Sequence, residues 1–368
     1  SSNSLQNIAG INGGQLSNRN LIINGAMQVA QRGTSSTNNG YGTVDRFEVS
    51  YTGTNESPTQ EQGDVSSGTT PYTLGFRKAL KITNGNQTGG AGSADRIEVR
   101  TKLEAQDIAD SGWNYTSASS FVTISFWVKS SVAQNFYGLI TSSDGTAQAY
   151  VWETGSLTAD TWTKITKTIP GNANLTFNND NGEGLQINLQ HFSGTDFTDS
   201  GVSLNAWGAY ASGTRTPDQT STWYTTNNST LEYTGFQLEL GSVATDFEHR
   251  SFDVERDLCR RYFQRFNFTA ANTCLGSGYI ESSTEFRIPF QFFKEMRDAP
   301  TFAVSSAAAF DAANGNQSRT ASNIAISNAT AMGCILIATT GSGLNTSTNA
   351  GIFRNTSAPQ HFDFSSEL

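Results

Sequence analysis

The residues best suited to acid–base chemistry in this sequence are two pairs of carboxylates, Asp180 with Glu183 and Glu153 with Asp160. Cleavage of a glycosidic bond requires two carboxyl groups held about 5–5.5 Å or about 6.5–9.5 Å apart. Both pairs lie in apparent turns, where carboxylates serve mainly to bind the turn backbone. We therefore predict no catalytic residues and a protein that is not an enzyme. A polysaccharide depolymerase is kept as an alternative.

The sequence predicts neither a metal site nor a cofactor. The histidines at positions 191, 249 and 361 are too far apart in the chain to share a helical turn. The segment from Asn178 to Glu183 lacks the distal glutamate that completes a calcium loop. The cysteines are odd in number and have no C-x-x-C spacing, so we interpret them as buried thiols from a reducing cytoplasm. They are Cys259, Cys274 and Cys334.

Aromatic side chains give the stronger functional signal. Seven of them occur in polar segments outside the alternating strand patterns: Trp113, Tyr115, Trp152, Trp207, Tyr210, Trp223 and Tyr224. A ring with a polar edge can pack on the C–H groups of a sugar while nearby amides and carboxylates bind its hydroxyls. We therefore predict that these seven stack on a glycan. The alternative is that they plug the ends of the core, because large aromatics are mostly buried.

The charge pattern argues against nucleic acid and membrane partners. The chain has 23 basic and 32 acidic residues, a net charge of −9, and its basic residues are scattered singly. Binding to a phosphate backbone requires a basic patch. No apolar run approaches the ~18 residues that span a bilayer, and the first 14 residues have no pattern of a secretory signal. Aromatic content of 11% excludes wholesale disorder.

The elements that must position these side chains are strands. In the segment Phe121–Val128, the even positions are apolar and the odd positions between them are mostly polar, which predicts a half-buried strand. Similar segments recur through the first 240 residues, separated by Gly-, Asn- and Ser-rich turns. This pattern predicts an antiparallel β-sandwich. It also excludes a parallel sheet with a nucleotide-binding crevice, because no helical segments intervene.

One helix is predicted after the sandwich. Ser251 can cap it, acidic residues fill its first turn, and arginines up to Arg265 occupy its last turn. Val254, Leu258 and Tyr262 predict its buried stripe. Strand patterns resume beyond it in an Ala-, Ser- and Asn-rich background, which predicts a second, smaller β-sandwich that depends on its neighbours. The fold class is therefore all-β: a sandwich, a short connecting α-helix and a second sandwich.

Three domains follow from this order of elements. Residues 1–19 are predicted to be an extended attachment segment, residues 20–250 the first sandwich, and residues 251–368 the helix with the C-terminal β domain. Residues 301–350 carry many small side chains, which permit close backbone approach. We therefore expect the C-terminal region to carry much of an oligomer contact.

Five segments, taken in order, resemble the jelly-roll carbohydrate-binding modules. They are Asn20–Gly25, Ala79–Thr83, Thr123–Ser130, Asp160–Lys164 and Tyr233–Leu240. The resemblance implies a jelly-roll sandwich in the first domain. Such modules often place a calcium-binding carboxylate after the early Asn-Gly, where this chain has Ala26 and Met27, so the calcium site is not carried over.

Four further segments resemble tail-fibre and related virion proteins of bacteriophages: Ala244–Arg250, Asp257–Arg265, Glu295–Thr301 and Phe362–Leu368. The resemblance implies a non-enzymatic structural protein of the virion, assembled in the host bacterial cytoplasm. Its expected partners are further copies of itself in a trimer, other tail or capsid proteins, and a host surface glycan. The alternative within this class is a purely structural adaptor, head-fibre or decoration subunit without sugar binding.

Overall fold

A computed structural model describes residues 19–314, 317–341, 343–344, 346 and 350–368. The chain divides into two compact units, Ser1–Arg256 with Leu368, and Asp257–Glu367. The attachment segment predicted at residues 1–19 lies outside the described residues, apart from Arg19. No helix in the described ranges is long and apolar enough to cross a membrane.

Over the described residues 19–251, the first unit is built from antiparallel strands and three helices of four or five residues. The helices are α1 (Thr70–Thr73), α2 (Ala105–Ala109) and α3 (Thr222–Thr225). The strands are β1 (Ser35–Ser36), β2 (Glu48–Thr52), β3 (Thr59–Asp64), β4 (Lys78–Thr83), β5 (Arg96–Glu104), β6 (Phe121–Ser130), β7 (Asn135–Ser142), β8 (Gln148–Ser156), β9 (Thr163–Pro170), β10 (Glu183–Ser193), β11 (Trp207–Ala209) and β12 (Thr230–Leu240).

These strands form two six-stranded sheets. Sheet I has the order β1-β3-β4-β12-β6-β9, and sheet II has the order β11-β8-β7-β10-β5-β2. The chain passes repeatedly between the sheets, so that the four strands β4-β12-β6-β9 face the four strands β5-β10-β7-β8. Eight strands in this Greek-key arrangement define a jelly roll. The predicted sandwich is confirmed.

The core lies between the two sheets and follows the alternation in the sequence. Val122, Ile124, Phe126 and Val128 of β6 are each at most 2% exposed, as the two-residue period requires. Phe126 stacks on Phe236 of the neighbouring β12, with ring centroids 4.5 Å apart and planes inclined by 2°. A bulge in β12 between residues 234 and 237 changes the register, which places Phe236 on the core side.

The predicted connecting helix is confirmed as α4 (Phe252–Arg260), but its predicted buried stripe holds only in part, since Tyr262 alone of its three residues is fully buried. Val254 is 51% exposed, whereas Glu255 is buried. The Glu255 carboxylate accepts a hydrogen bond from the Asn24 backbone amide and lies 3.5 Å from Arg250 Nη1. Burial raises the pKa of Glu255, and these two partners oppose that shift. The helix therefore turns an acidic side chain inward, because partners more distant in the chain bind it.

The helix is also shorter than predicted. It ends at Arg260, and Arg265 lies instead in the strand β13 (Phe263–Phe268). Arg265 forms two hydrogen bonds of 2.6 Å to the Asp363 carboxylate. The positive charge of Arg265 therefore pairs with a carboxylate on a neighbouring strand and does not interact with the end of helix α4.

The second unit is a closed barrel with a small accompanying sheet. The barrel has the order β14-β15-β19-β18-β17-β20, and the sheet has the order β13-β21-β16. The additional strands are β14 (Cys274–Ser282), β15 (Glu285–Gln291), β16 (Thr301–Val304), β17 (Phe310–Asn314), β18 (Gln317–Ser327), β19 (Gly333–Thr340), β20 (Ala350–Asn355) and β21 (Gln360–Ser365). The all-β class is confirmed, and the second sandwich is corrected to a barrel. Pairing of β14 with β20 closes it, which removes the exposed strand edges that an open sheet would present.

The second unit has its own core of phenylalanines. Phe310 stacks on Phe362 with ring centroids 4.8 Å apart and on Phe353 at 5.7 Å. Many of these large side chains lie outside residues 301–350. The small residues of the segment 301–350 therefore pack against large side chains that the flanking strands supply.

Candidate functional site

Four of the seven aromatic side chains predicted to stack on a glycan are buried: Trp113, Trp152, Trp223 and Tyr224, with exposed fractions of 5%, 0%, 0% and 1%. Trp152 packs in the core against Phe126, with ring centroids 5.7 Å apart. Tyr224 stacks on Phe192 at 4.4 Å. A ring with no exposed face cannot pack on a sugar, so the structure corrects these four to core residues.

The short helix α3 explains the burial of Trp223 and Tyr224. The Trp223 Nε1 donates to the Thr230 carbonyl over 3.1 Å, and the Tyr224 hydroxyl donates to the Asp95 carboxylate over 3.0 Å. Burial and this carboxylate raise the pKa of Tyr224. The apolar body and the polar edge of each ring are therefore both in contact with the protein. This is the alternative in which the aromatic rings close the ends of the core.

The other three aromatic candidates are half-buried and lie in two places. Tyr115 packs edge-on against Phe177, with ring centroids 4.9 Å apart. Trp207 and Tyr210 both belong to the segment of residues 194–216, which we call loop 194–216. The Trp207 Nε1 donates to the Pro170 carbonyl over 2.6 Å, and Tyr210 packs on a small apolar cluster of sheet II.

Loop 194–216 crosses the side of sheet II that faces away from the core. On this outer face, Leu139, Ala149 and Val151 form an apolar cluster, against which Val202, Leu204 and Tyr210 of the loop pack. The loop backbone is tied to strand β8, since the Asn205 amide donates to the Val151 carbonyl over 2.7 Å. The loop therefore has a defined path over the sheet.

The same outer face carries long polar side chains at alternate strand positions. Strand β5 contributes Arg96, Glu98, Arg100 and Lys102, and strand β10 contributes Gln186, Asn188 and Gln190. Their chain neighbours Ile97, Val99 and Leu103, and Leu185, Ile187 and Leu189, face the core. These polar residues were missed by the sequence analysis. The period-two pattern that located the core also placed them together on the opposite face.

Glu98 is the centre of an ion cluster on this face. Its carboxylate lies 3.2 Å from Arg96 Nε and 3.6 Å from Arg215 Nη1, and it also pairs with Arg100. The Glu98 side chain is 1% exposed. Burial lowers the pKa of Arg96 against the opposing effect of Glu98. Burial also acts on Arg100, but Glu98 and its other acidic neighbours raise the pKa of that guanidinium overall.

A cleft of 440 Å³ lies between strand β8 and loop 194–216, which includes strand β11, and we call it the loop cleft. Ala149 and Val151 line it together with Trp207, while Ser203 and Thr214 of the loop add hydroxyl groups. Within the described residues, neither hydroxyl has a hydrogen-bond partner. The volume falls in the ~300–1,000 Å³ range of small-molecule sites. The cleft combines apolar surface with available donors and acceptors, while the Trp207 ring packs on the core side against Tyr150, with ring centroids 5.5 Å apart.

The two carboxylate pairs are engaged in turns and strand ends. The Asp180 carboxylate accepts a hydrogen bond from the Gly182 amide over 2.9 Å, and Glu183 lies 3.2 Å from Lys102 Nζ. The Glu153 carboxylate accepts from the Asn135 side-chain amide over 2.9 Å. Asp160 occupies a turn with a φ of +55°. Three of the four carboxylates therefore have a structural role in the fold, and Asp160 is an exposed turn residue.

Metal-binding groups are not found in the part of the chain that the structure describes: no three His, Cys, Asp or Glu side chains are placed to hold an ion. At the early Asn-Gly, the Asn24 side-chain amide donates to the carbonyls of Val29 and Asp45 over 2.8 and 2.9 Å. An amide thus holds backbone oxygens at this turn.

The fold and the loop cleft define a jelly-roll protein with a candidate ligand site on one sheet. No protein-family model matches the chain, and no curated protein matches it significantly. Among solved structures, the enzymatically active domain of bacteriophage CBA120 tailspike protein 4 is 10% identical, with a TM-score of 0.31. The match covers 60% of this chain and 21% of that chain, so this protein spans about a fifth of the tailspike domain.

Two smaller sugar-related proteins give similar values. The N-terminal cellulose-binding domain of Cellulomonas fimi β-1,4-glucanase C is 13% identical, with a TM-score of 0.28 and coverage of 59% of this chain and 99% of that chain. A putative sugar binding protein from Bacteroides thetaiotaomicron is 10% identical, with a TM-score of 0.32 and coverage of 61% and 100%. The jelly-roll assignment rests on the strand order of this chain, not on these distant likenesses.

Proposed function

We propose that this protein is a non-enzymatic bacteriophage virion subunit, a tail fibre or other appendage, that contacts a host surface glycan through the loop cleft. The observation that carries the glycan part is the composition of that cleft. Ala149, Val151 and Val202 supply apolar surface for the C–H face of a sugar, and the hydroxyls of Ser203 and Thr214 can bind its hydroxyl groups. Tyr210 lies beside it on the same loop.

The virion part of the proposal rests on the resemblance of four segments to phage appendage proteins, residues 244–250, 257–265, 295–301 and 362–368. In this proposal the chain assembles in the host cytoplasm and joins other tail or capsid proteins as a homotrimer. The absence of catalysis is proposed because Asp180, Glu183 and Glu153 each have a hydrogen-bond or ion-pair partner, which leaves Asp160 without an available carboxylate of its predicted pair. The loop cleft would therefore hold a glycan without cleaving it.

A purely structural subunit is the second candidate. The observation that favours it is the burial of Trp113, Trp152, Trp223 and Tyr224, which leaves three of the seven aromatic candidates partly accessible. In that case the loop cleft would be an incidental gap between loop 194–216 and sheet II. Binding measurements on the full chain separate the two candidates.

Gly208 offers a direct way to block the loop cleft. It lines the cleft, and a Cβ built on it meets no atom within 4 Å, so Gly208→Tyr places a ring in open space. The matched control is Ala303→Tyr, which adds the same ring at an exposed position of strand β16 in the second unit. Both variants are expected to fold like the wild type.

The test is a glycan array and calorimetry with purified surface polysaccharides of candidate host bacteria. We expect one polysaccharide to bind, Gly208→Tyr to weaken it about tenfold or more, and Ala303→Tyr to leave it unchanged. Release of reducing ends would instead show a depolymerase. The structural subunit would be supported by two results together. No polysaccharide would bind, and an antibody to this chain would label the phage particle.

A further inference from the structure

The outer face of sheet I carries a second pocket. It is remote from the loop cleft, because the outer faces of the two sheets point in opposite directions. Its volume is 260 Å³. It is lined by side chains of strands β6 and β9 and of the segments around residues 74–76 and 245–249. We call it the sheet I pocket. None of the seven aromatic candidates lines it.

The accessible rings of Phe247 and His249 form one wall of the sheet I pocket, and the buried ring of Phe76 packs against both. Phe76 and Phe247 meet edge to face with centroids 4.9 Å apart, and Phe247 and His249 meet in the same way at 4.9 Å. Phe76 and His249 are 5.1 Å apart. Each ring thus contacts the other two, which fixes their orientation before any ligand arrives. Trp127, half-buried on strand β6, adds a fourth ring to the lining.

Gly235 keeps the pocket open. It sits in the bulge of strand β12 with a φ of +68°, and a Cβ built on it would lie 2.7 Å from Phe76 Cζ. A side chain at this position would both strain the backbone and push Phe76 out of place. The glycine therefore allows the Phe76 ring to lie close to the sheet.

Polar groups stand around the aromatic wall. Lys164 and Asp246 line the pocket and are both exposed. Within the described residues, neither of these two charged groups forms an ion pair. The His249 Nε2 donates to the Leu74 carbonyl over 2.9 Å, so in the neutral ring Nδ1 is the acceptor. The pocket thus presents an ammonium donor, a carboxylate acceptor and an imidazole nitrogen beside apolar rings.

From this arrangement we propose that the sheet I pocket binds a single sugar ring, the terminal residue of a glycan chain, as a second site independent of the loop cleft. Its volume is below the ~300–1,000 Å³ of sites for drug-sized ligands, which suits one ring. Rings with polar groups at their margin match a molecule that has C–H faces and hydroxyl edges. The ammonium of Lys164 disfavours the cationic ligands that aromatic rings otherwise attract.

The experiment uses the full chain and a panel of methyl glycosides of common bacterial sugars, with saturation-transfer NMR to detect binding. Phe247→Ala removes part of the wall. Lys164→Ala removes the ammonium from an exposed strand position, where unfolding is not expected. Lys167→Ala is the matched control, because it makes the same charge change on the same strand and does not line the pocket. Circular dichroism confirms that each variant is folded.

We expect at least one methyl glycoside to bind, and Lys164→Ala to weaken it about tenfold, the loss expected for one charge-assisted hydrogen bond. Phe247→Ala should also weaken it, because the variant removes apolar surface that packs on the sugar. Lys167→Ala and the cleft-blocking Gly208→Tyr should leave this binding unchanged. If Gly208→Tyr abolished glycoside binding and Lys164→Ala did not, the sugar would be bound in the loop cleft. That result would overturn the second site. Absence of binding by every glycoside, or binding of choline in their place, would also overturn it.

Discussion

The guanidinium of Arg215 lies 3.6 Å from the buried carboxylate of Glu98. This ion pair joins loop 194–216 to a strand of sheet II, so the position of Trp207 and Tyr210 depends on a charge that lies more than a hundred residues earlier in the chain. The loop is therefore held by electrostatics as well as by its apolar contacts.

Replacement of Glu98 by Gln should destabilise the first unit strongly. The change leaves Arg96, Arg100 and Arg215 close together without their shared carboxylate, and removal of one partner from a buried ion cluster costs about 3–5 kcal/mol. Urea denaturation measures the free energy of unfolding. The control is Glu61→Gln, because Glu61 forms an exposed pair with Lys81 at 3.4 Å and such pairs contribute about 0–1 kcal/mol. Equal effects of the two changes would contradict the role of the cluster.

Gly138→Ala should disrupt the core of the sandwich. A Cβ at this position of strand β7 would lie 2.1 Å from Trp152 Cζ2, so the indole must move, and overpacking of this kind costs about 1–3 kcal/mol. Gly208→Ala makes the same change on strand β11, where the added Cβ meets nothing within 4 Å. Thermal unfolding should therefore separate the two variants clearly. A neutral Gly138→Ala would mean that the indole has room to shift.

Stability should fall in acid because of His191. This side chain is fully buried, and burial lowers its pKa from 6.5 to about 3. Below pH 6.5 the unfolded chain takes up a proton that the folded chain does not, so the free energy of unfolding falls as the pH drops from 6.5 toward 3. The slope approaches about 1.4 kcal/mol per pH unit.

The variant His191→Gln isolates this effect. Urea denaturation at several pH values should show a shallower loss of stability for the variant than for the wild type between about pH 6.5 and pH 4. The difference between the two curves removes contributions from other groups, including His361, whose pKa burial also lowers. Parallel curves would show that His191 is protonated normally in the folded protein.

The three thiols should react at very different rates. Cys274 is exposed, which corrects the expectation that all three are buried, whereas Cys259 and Cys334 are buried. Burial raises the pKa of Cys334 to about 11, so little of it is thiolate at about pH 8. A colorimetric thiol reagent should label one cysteine quickly in the native protein and three after denaturation. Cys274→Ser should abolish the fast reaction; a persistent fast phase would place another thiol at the surface.

The proposed trimer can be tested through exposed apolar side chains of the second unit. Phe293 and Met332 are 58% and 54% exposed, and exposed apolar surface marks contact sites. Light scattering of the full chain should give the mass of three copies, and the double change Phe293→Ser with Met332→Ser should lower it. Val243→Ser, at a residue of the first unit that is 53% exposed, should not. A wild-type monomer at micromolar concentration would reject the trimer.

What local sequence determines about this protein is its strands and the helix after them. The period of two at residues 121–128 identified a strand and its buried face correctly, because side-chain direction in a strand depends only on position along it. The start of helix α4 was also predictable. The buried face of this helix was only partly predictable. Glu255 turns inward to partners that include Arg250 and the backbone of Asn24, which lies 231 residues earlier.

Strand β8 shows why Trp152 was misjudged. Its residues Ala149 to Trp152 are apolar at every position, so no alternation was visible. The structure explains this, because one side of the strand faces the core and the other lies under loop 194–216. A strand covered on both sides loses its polar face. The path of the loop could not be read from residue 152 or its neighbours.

The candidate sites and the barrel were decided by tertiary structure alone. The loop cleft needs a loop to cross a sheet, and the sheet I pocket needs Phe76 and Phe247 to meet across more than 150 residues of chain. Closure of the barrel pairs β14 with β20, which local patterns cannot specify. The sequence by itself determined which segments become strands and which faces are apolar. Only the folded chain determined which faces meet and what lies on top of them, because those contacts join residues that have no fixed spacing in the sequence.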